Sequence, residues 1–169
     1  MPEIGCIGFA VRRIQRECQE LNQSEEASQY SVNIEVVNDR FLEVRGEFTG
    51  PPGTSYEGGR FILKMNVSEN YPVIPPEVRF VTKIWHPNIS SVTGAIGLDI
   101  LQYQWPACAK IRTILLSLQI LLATPEPDEP QDAVVAKQFI EDPWMFELTA
   151  RHWTQAYAGA PKTQSSMIK

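Results

Sequence analysis

The sequence has little of what disulfide-bonded, metal-binding or membrane-spanning proteins need. Its 169 residues include three cysteines, at positions 6, 18 and 108, and two histidines, at positions 86 and 152. One cysteine must stay unpaired and no Cys-x-x-Cys occurs, which favours a reduced thiol protein over a disulfide framework or a metal site. No apolar run approaches the roughly 18 residues of a membrane span. We therefore expect no metal, no cofactor and no membrane partner, and a cytoplasmic location with the nucleus as a further compartment.

Charge of one sign is not concentrated in this chain either. It carries 15 Lys+Arg against 20 Asp+Glu, for a net charge of −5. No basic cluster is interleaved with aromatic residues, so nucleic acid is not an expected partner. The densest basic group is Arg12, Arg13 and Arg16, which on composition alone is an ordinary solvated helix face. Gly58-Gly59 lacks the Lys-Ser/Thr of a phosphate-binding loop, so direct nucleotide chemistry is not supported.

The spacing of apolar residues predicts a helix followed by a sheet. Apolar residues recur every three or four positions near the start, at Ile7, Val11, Ile14, Cys18 and Leu21. They predict one buried face of a helix, with the arginines, Glu17 and Glu20 on the other face. Period-two alternation predicts four strands, over 32–36, 42–48, 61–67 and 78–80. Their short connections predict an antiparallel meander with one face free to pack helices.

The region after the strands is irregular and rich in proline. Ten of the 13 prolines lie between residues 51 and 130, and no period holds for long over 82–109. Its apolar residues and its two tryptophans, Trp85 and Trp105, indicate a packed segment, so we expect function to reside there. Three helices are predicted beyond it, over 111–122, over 133–140 and from Asp142-Pro143 to Tyr157. The order of elements defines an α+β fold.

The clearest chemical feature of this segment is His86-Pro87-Asn88, which ends six residues before the start of the run Gly-Ala-Ile-Gly-Leu-Asp-Ile-Leu at 94–101. An amide presented by a proline-fixed turn can stabilise an oxyanion. An asparagine in a turn more often ties down its own backbone, and on the residues alone this second interpretation is favoured.

Seven short motifs occur in a fixed order between Ala10 and Pro161. They are Gly50-Pro51-Pro52 with Tyr56–Gly59, Tyr71-Pro72 with Pro75-Pro76, Trp85–Ile89, Leu98–Leu101, Trp105, Ile111–Thr113 and Pro127–Pro130. In this order and spacing the chain resembles the ubiquitin-conjugating enzymes, which implies their UBC fold. The runs 88–96 and 131–136 are similar to the subclass with a ubiquitin-associated domain behind the core. Only eight residues follow Pro161, so we expect a catalytic core over 1–161 and a short tail over 162–169.

The resemblance implies a mechanism. In this family a cysteine thiolate takes ubiquitin from an activating enzyme as a thioester, and a substrate lysine then attacks it, usually with a ligase holding both. Asn88 matches the asparagine that either stabilises the oxyanion or holds the active-site loop. Asp99 and Glu129 match acidic positions that orient the lysine, with His86 and Asp128 in the same motifs. The implied partners are ubiquitin, the activating enzyme, ligases and substrate lysines, with a monomer expected.

Gly97 departs from this pattern, because it stands where the family has its nucleophilic cysteine. Glycine has no side chain, so the sequence predicts that thioester formation is lost. Cys18 belongs to a helix stripe, Cys6 precedes the motifs, and Cys108 lies in a loop that matches the ligase-contacting loop. The chain is then an active-site variant, engineered or allelic, or a natural non-catalytic binding or scaffold protein of the ubiquitin pathway. The intact motifs around Asn88 and Asp99 favour the variant.

The resemblance also implies two partner surfaces. The basic group Arg12, Arg13 and Arg16 matches the first-helix positions that meet the activating enzyme. The ligase surface is expected where two loops meet, and its candidates are Val73, Ile74, Pro106 and Ala107. Many members have an aromatic residue at the position of Val73, and such an anchor is a frequent hot spot of binding energy. We assign Trp85 and Trp105 a packing role.

Overall fold

A computed structural model describes residues 4–38, 40 and 42–161, so the predicted tail over 162–169 lies outside the described residues. The elements in chain order are α1 (Ile4–Asn22), α2 (Glu25–Gln29), β1 (Asn33–Asn38), β2 (Glu43–Thr49), β3 (Arg60–Asn66), β4 (Glu77–Phe80), a 3-10 turn (Asp99–Leu101), α3 (Ile111–Ala123), α4 (Ala133–Glu141) and α5 (Pro143–Tyr157). The predicted α+β order is confirmed, and only α2 and the 3-10 turn were not predicted. No helix within 4–38, 40 and 42–161 is long and apolar enough to cross a membrane.

The four strands form one antiparallel sheet in the order β1-β2-β3-β4, the predicted meander. The inward positions of β2 and β3 alternate along each strand and are fully buried, at Val44, Phe48, Phe61, Leu63 and Met65. Burying each such side chain contributes about 1.5–3 kcal/mol. The outward positions carry charges that pair across strands, such as Arg60 with Glu47 at 2.9 Å. One face of the sheet therefore holds the core, because side chains of a strand alternate between its two faces.

Helix α3 is buried along most of its surface, as its nearly continuous apolar run predicts. Ile111, Ile114 and Leu118 are fully buried. Ile14, Cys18 and Leu21 of helix α1 are buried in the same core, which confirms the predicted stripe at these positions. The side chain of Ile7 lies outside the described part of the chain.

Glu17 corrects the predicted outer face of α1, because its side chain is only 6% exposed. Position 17 is one helical turn from Ile14 and from Leu21, so it lies within the buried stripe. Its carboxylate accepts hydrogen bonds from the Tyr71 hydroxyl at 2.7 Å and from the backbone N–H of Ile111 at 3.1 Å. Burial raises the pKa of Glu17, and these two hydrogen bonds oppose that rise. The carboxylate thus joins α1 to the start of α3 and to the loop that follows β3.

Candidate functional site

His86 anchors the irregular segment against helix α3. The ring is fully buried, and its Nδ1 accepts the backbone N–H of Asn88 at 3.0 Å. Because Nδ1 accepts, the proton lies on Nε2, which donates to the carbonyl of Leu121 in α3 at 2.9 Å. Burial lowers the pKa of His86 to about 4, so the ring is neutral at physiological pH. This residue positions Asn88 and is withdrawn from solvent.

The neutral, buried His86 is expected to make the fold sensitive to acid. In the unfolded chain its pKa returns to about 6.5, so the unfolded state binds the proton first as the pH falls. Stability is then full above pH 6.5 and is lost as the pH falls from 6.5 towards 4, by about 2 kcal/mol between pH 7 and 5. Urea unfolding at pH 7, 6 and 5 measures this loss. His86→Gln should flatten the profile and His152→Gln, at an exposed histidine, should leave it unchanged; an equally steep profile in His86→Gln would contradict the assignment.

Asn88 connects the two stretches of chain that frame the site. Its side-chain NH2 donates to the carbonyls of Glu126 at 2.8 Å and of Glu129 at 3.0 Å. Its Oδ1 accepts the backbone N–H of Glu126 at 2.8 Å. The backbone carbonyl of Asn88 accepts the N–H of Gly97 at 2.8 Å. One buried side chain therefore fixes the segment from 126 to 129, while its own backbone fixes position 97.

Gly97 is partly exposed at the centre of this arrangement. Its φ is not among the positive values that the described chain shows at Gly53, Gly58, Gly94 and Gly159. A Cβ at position 97 would meet the side chain of Gln131 at 3.3 Å and the carbonyl of Asn88 at 3.6 Å. The backbone therefore has a conformation that an L-residue adopts, and a Cβ fits once the Gln131 side chain shifts by a few tenths of an ångström.

Acidic residues occur in both stretches of chain that frame Gly97. Asp99 begins the 3-10 turn, and its carboxylate accepts a hydrogen bond from the Tyr103 hydroxyl at 3.0 Å. That hydrogen bond, the charge of Asp99 and the charge of Glu129 raise the pKa of Tyr103. Glu129 is exposed and is held through its backbone by Asn88, and Asp128 beside it is also exposed. Tyr103 was missed from the sequence, where no spacing rule distinguishes it from other loop residues.

The described cysteines lie outside this site. Cys18 is buried in α1, and burial raises its pKa to about 12, so its thiol is unreactive at neutral pH. Cys108 is exposed in the loop before α3. The side chain of Cys6 belongs to the part of the chain that is not described. Among the described residues no three His, Cys, Asp or Glu side chains come together as metal ligands.

The predicted ligase loops are brought together. Trp105 Nε1 donates to the carbonyl of Pro72 at 2.7 Å, which ties the second loop to the first. Val73 is 75% exposed, and Pro106 and Ala107 are also exposed. Ile74, beside Val73, is exposed as well. The four candidates therefore lie on two joined loops. Trp85 packs on Trp153 with ring centroids 4.9 Å apart, which agrees with its predicted packing role.

The predicted basic group on α1 is not uniform. Arg12 and Arg16 are exposed. Arg13 is half-buried, with its Nε 3.5 Å from the Glu17 carboxylate and its guanidinium 5.8 Å from the centre of the Tyr71 ring. Arg12 and Arg16 are therefore the members most available to a partner.

A helix, a four-stranded meander and three further helices around an irregular segment match solved ubiquitin-conjugating domains. The ubiquitin conjugating enzyme E2 domain from Toxoplasma gondii superposes with a TM-score of 0.79 at 46% identity, covering 87% of this chain and 97% of that one. The family model described as ubiquitin-conjugating enzyme matches residues 13–154. The chain belongs to the ubiquitin-conjugating enzyme family.

Two curated relatives show how close this similarity is. "Ubiquitin-conjugating enzyme E2-22 kDa" of Drosophila melanogaster is 62% identical over 155 residues, covering 92% of this chain and 78% of the relative. "Ubiquitin-conjugating enzyme E2 K" of Homo sapiens is 57% identical over 161 residues, covering 95% of this chain and 80% of the relative. Family membership implies a transferase with ubiquitin, an activating enzyme and ligases as its partners.

Proposed function

We propose that this domain is built to carry ubiquitin as a thioester at position 97 and to pass it to substrate lysines, and that Gly97 removes this activity from the chain as given. A thiol suits the carrier role because thiolates are nucleophilic near neutral pH and leave readily, so the acyl group stays reactive. Glycine offers no such group. The proposed state is a conjugating domain that recognises its partners without being charged.

The observation that carries the proposal is the support around position 97. Asn88 holds Gly97 through its backbone carbonyl and the segment 126–129 through its side chain. Asp99 and Glu129 supply negative charge where a lysine ammonium would approach. A carboxylate beside an amine orients it and can accept its proton. The two carboxylates, unlike the structural hydrogen bonds of Asn88, have no evident use in a domain that only binds partners.

Within this site the contacts of Asn88 favour the role of holding the loop. Both protons of its NH2 are bonded to carbonyls at 2.8 and 3.0 Å, so neither is left to stabilise an oxyanion. His86 supports Asn88 by accepting its backbone N–H at Nδ1. We assign Asp99 and Glu129 to orienting the lysine, with Asp128 contributing charge at the rim.

The proposal can be tested on the protein as it stands by competition for the activating enzyme. With activating enzyme, ATP and ubiquitin, the chain should form no ubiquitin adduct, yet it should slow the charging of a competent conjugating enzyme. Reversing the charge of Arg12 and Arg16 to glutamate should weaken this inhibition about tenfold at low salt and less at high salt, because the encounter is electrostatic.

Reversal of Arg45 and Arg60 on the outer face of the sheet is the matched control, since it changes the net charge equally at another surface. Inhibition that is equally strong in both double variants would contradict the assignment of the α1 surface. A reducible adduct on the unaltered chain would contradict the proposed loss of charging, and its disappearance in Cys108→Ser would place that adduct in the second loop.

A further inference from the structure

The contacts of Asn88 leave a chemical role unfilled. When an amine attacks a thioester, the carbonyl oxygen gains negative charge, and donors aimed at that oxygen accelerate the reaction. Asn88 has no free proton for this, since its NH2 is bonded to the carbonyls of Glu126 and Glu129 and its Oδ1 to the N–H of Glu126. Any donation to that oxygen by the protein must therefore come from another group close to position 97.

Gln131 is placed to be that donor. Its backbone N–H donates to the carbonyl of Pro87 at 2.9 Å, and the N–H of Asp132 donates to the same carbonyl at 3.0 Å. This pair of hydrogen bonds holds the backbone of Gln131 next to Pro87 in space. Its side-chain oxygen lies 3.3 Å from the position a Cβ of residue 97 would take. A half-turn of the terminal amide exchanges its oxygen and NH2, which places an N–H donor beside the point where a side chain at position 97 begins.

We propose that the side-chain NH2 of Gln131 is the oxyanion donor for transfer from position 97. This inference rests on the proposed function. The lysine ammonium first gives up a proton, and the neutral amine then attacks the thioester carbon. A C–N bond forms, and the π electron pair of the carbonyl moves to oxygen, where Gln131 donates. The oxyanion then collapses, the C–S bond breaks, and sulfur leaves with the electron pair. The nitrogen loses one proton to solvent and the thiolate takes one up, so the products are an amide and a thiol.

The test uses the Gly97→Cys background, with ubiquitin loaded by the activating enzyme and then released to free lysine in a single turnover. Gln131→Leu keeps the volume of the side chain and removes the donor. It should lower the rate constant at saturating lysine by about tenfold or more, while the lysine concentration for half-maximal rate stays unchanged, because the donor acts on the transition state. Gln131→Glu should be slower still, because its carboxylate faces the oxyanion.

The matched control is Gln102→Leu, the same change at an exposed glutamine beyond the 3-10 turn, and it should release ubiquitin at the unaltered rate. Equal rates for Gln131→Leu and Gln102→Leu would overturn the proposal. A lower melting temperature together with a higher lysine concentration for half-maximal rate in Gln131→Leu would also overturn the proposal, since the loss of a packing role would produce both changes.

A second measurement needs neither ubiquitin nor activating enzyme. In the Gly97→Cys background, the pH midpoint of alkylation of the introduced thiol should rise by about half a unit in Gln131→Leu, because an amide donor stabilises the thiolate. An unchanged midpoint would overturn the contact between Gln131 and position 97. If Gly97→Cys folds but cannot be charged, the proposed function fails, and this midpoint still decides whether Gln131 donates at that position.

Discussion

In the presence of activating enzyme and ATP, Gly97→Cys is expected to form a ubiquitin adduct that thiol reductants cleave. The unaltered chain is expected to form none. The introduced thiol would stand at the centre of the site described by Asn88, Asp99 and Glu129. Since the reaction needs a nucleophile and glycine supplies none, the fraction of protein that carries ubiquitin should rise from zero to near completion. Gel electrophoresis with and without reductant measures the adduct directly.

The structure shows why this substitution should leave the fold intact. The φ of Gly97 lies outside the left-handed region that favours glycine. The added Cβ would touch the Cβ of Gln131 at 3.3 Å, so the exposed segment around Gln131 must shift by a few tenths of an ångström. Replacing glycine also restricts the unfolded chain, which offsets this contact. We expect the free energy of unfolding to change by no more than about 1 kcal/mol.

Gly97→Ala is the control for this experiment, because it adds the same Cβ without a thiol and should remain uncharged. An adduct of equal yield in Gly97→Ala would show that ubiquitin attaches elsewhere. A folded Gly97→Cys protein that forms no ubiquitin adduct would contradict the proposal that the surroundings of position 97 are competent for thioester chemistry.

Asn88→Ala, made in the Gly97→Cys background, is expected to reduce both stability and transfer. It removes three hydrogen bonds of a side chain that is 1% exposed, and it leaves backbone groups of Glu126 and Glu129 without their partners. At about 1 kcal/mol for each bond, the free energy of unfolding should fall by about 3 kcal/mol. Because the segment that carries Glu129 is then released, transfer to lysine should fall about a hundredfold.

Urea unfolding and single-turnover release of ubiquitin to lysine together separate the two roles considered for Asn88. A residue that holds the loop lowers both quantities, whereas an oxyanion donor lowers the rate and leaves stability nearly unchanged. Asn66→Ala, at an exposed asparagine that ends β3, should change stability by no more than about 0.5 kcal/mol. A hundredfold slower release from an Asn88→Ala protein of unaltered stability would reject the loop-holding role.

Local pattern was sufficient for the main elements of this fold. The alternation over 61–67 predicts a strand because side chains of a strand point to opposite faces, and β3 confirms it. Asp142 before Pro143 predicts the start of α5, and the Asp142 carboxylate does accept the N–H of Met145. The short helix α2 was missed, since five residues give too little of a helical period to detect.

Glu17 shows where local pattern fails. The predicted place of Glu17 on the outer face of α1 was wrong, because its position lies within the buried stripe although its charge is typical of exposed residues. Its burial is permitted by hydrogen bonds from Tyr71 and Ile111, which are separated from Glu17 by 54 and 94 positions along the chain. No window along the chain contains those partners, so the balance between desolvation and hydrogen bonding was decided by the tertiary structure.

The sequence by itself determined the fold class and the order of the main elements, because periodicity and turn residues are local properties. Only the tertiary structure decided which groups accept and donate the hydrogen bonds of Asn88 and which side chain lies next to position 97. Gln131 lies 34 residues from Gly97 along the chain, yet its side chain is 3.3 Å from the position that a Cβ of residue 97 would take. Such contacts depend on how segments cross, since each is made by groups that approach one another only after the core has formed.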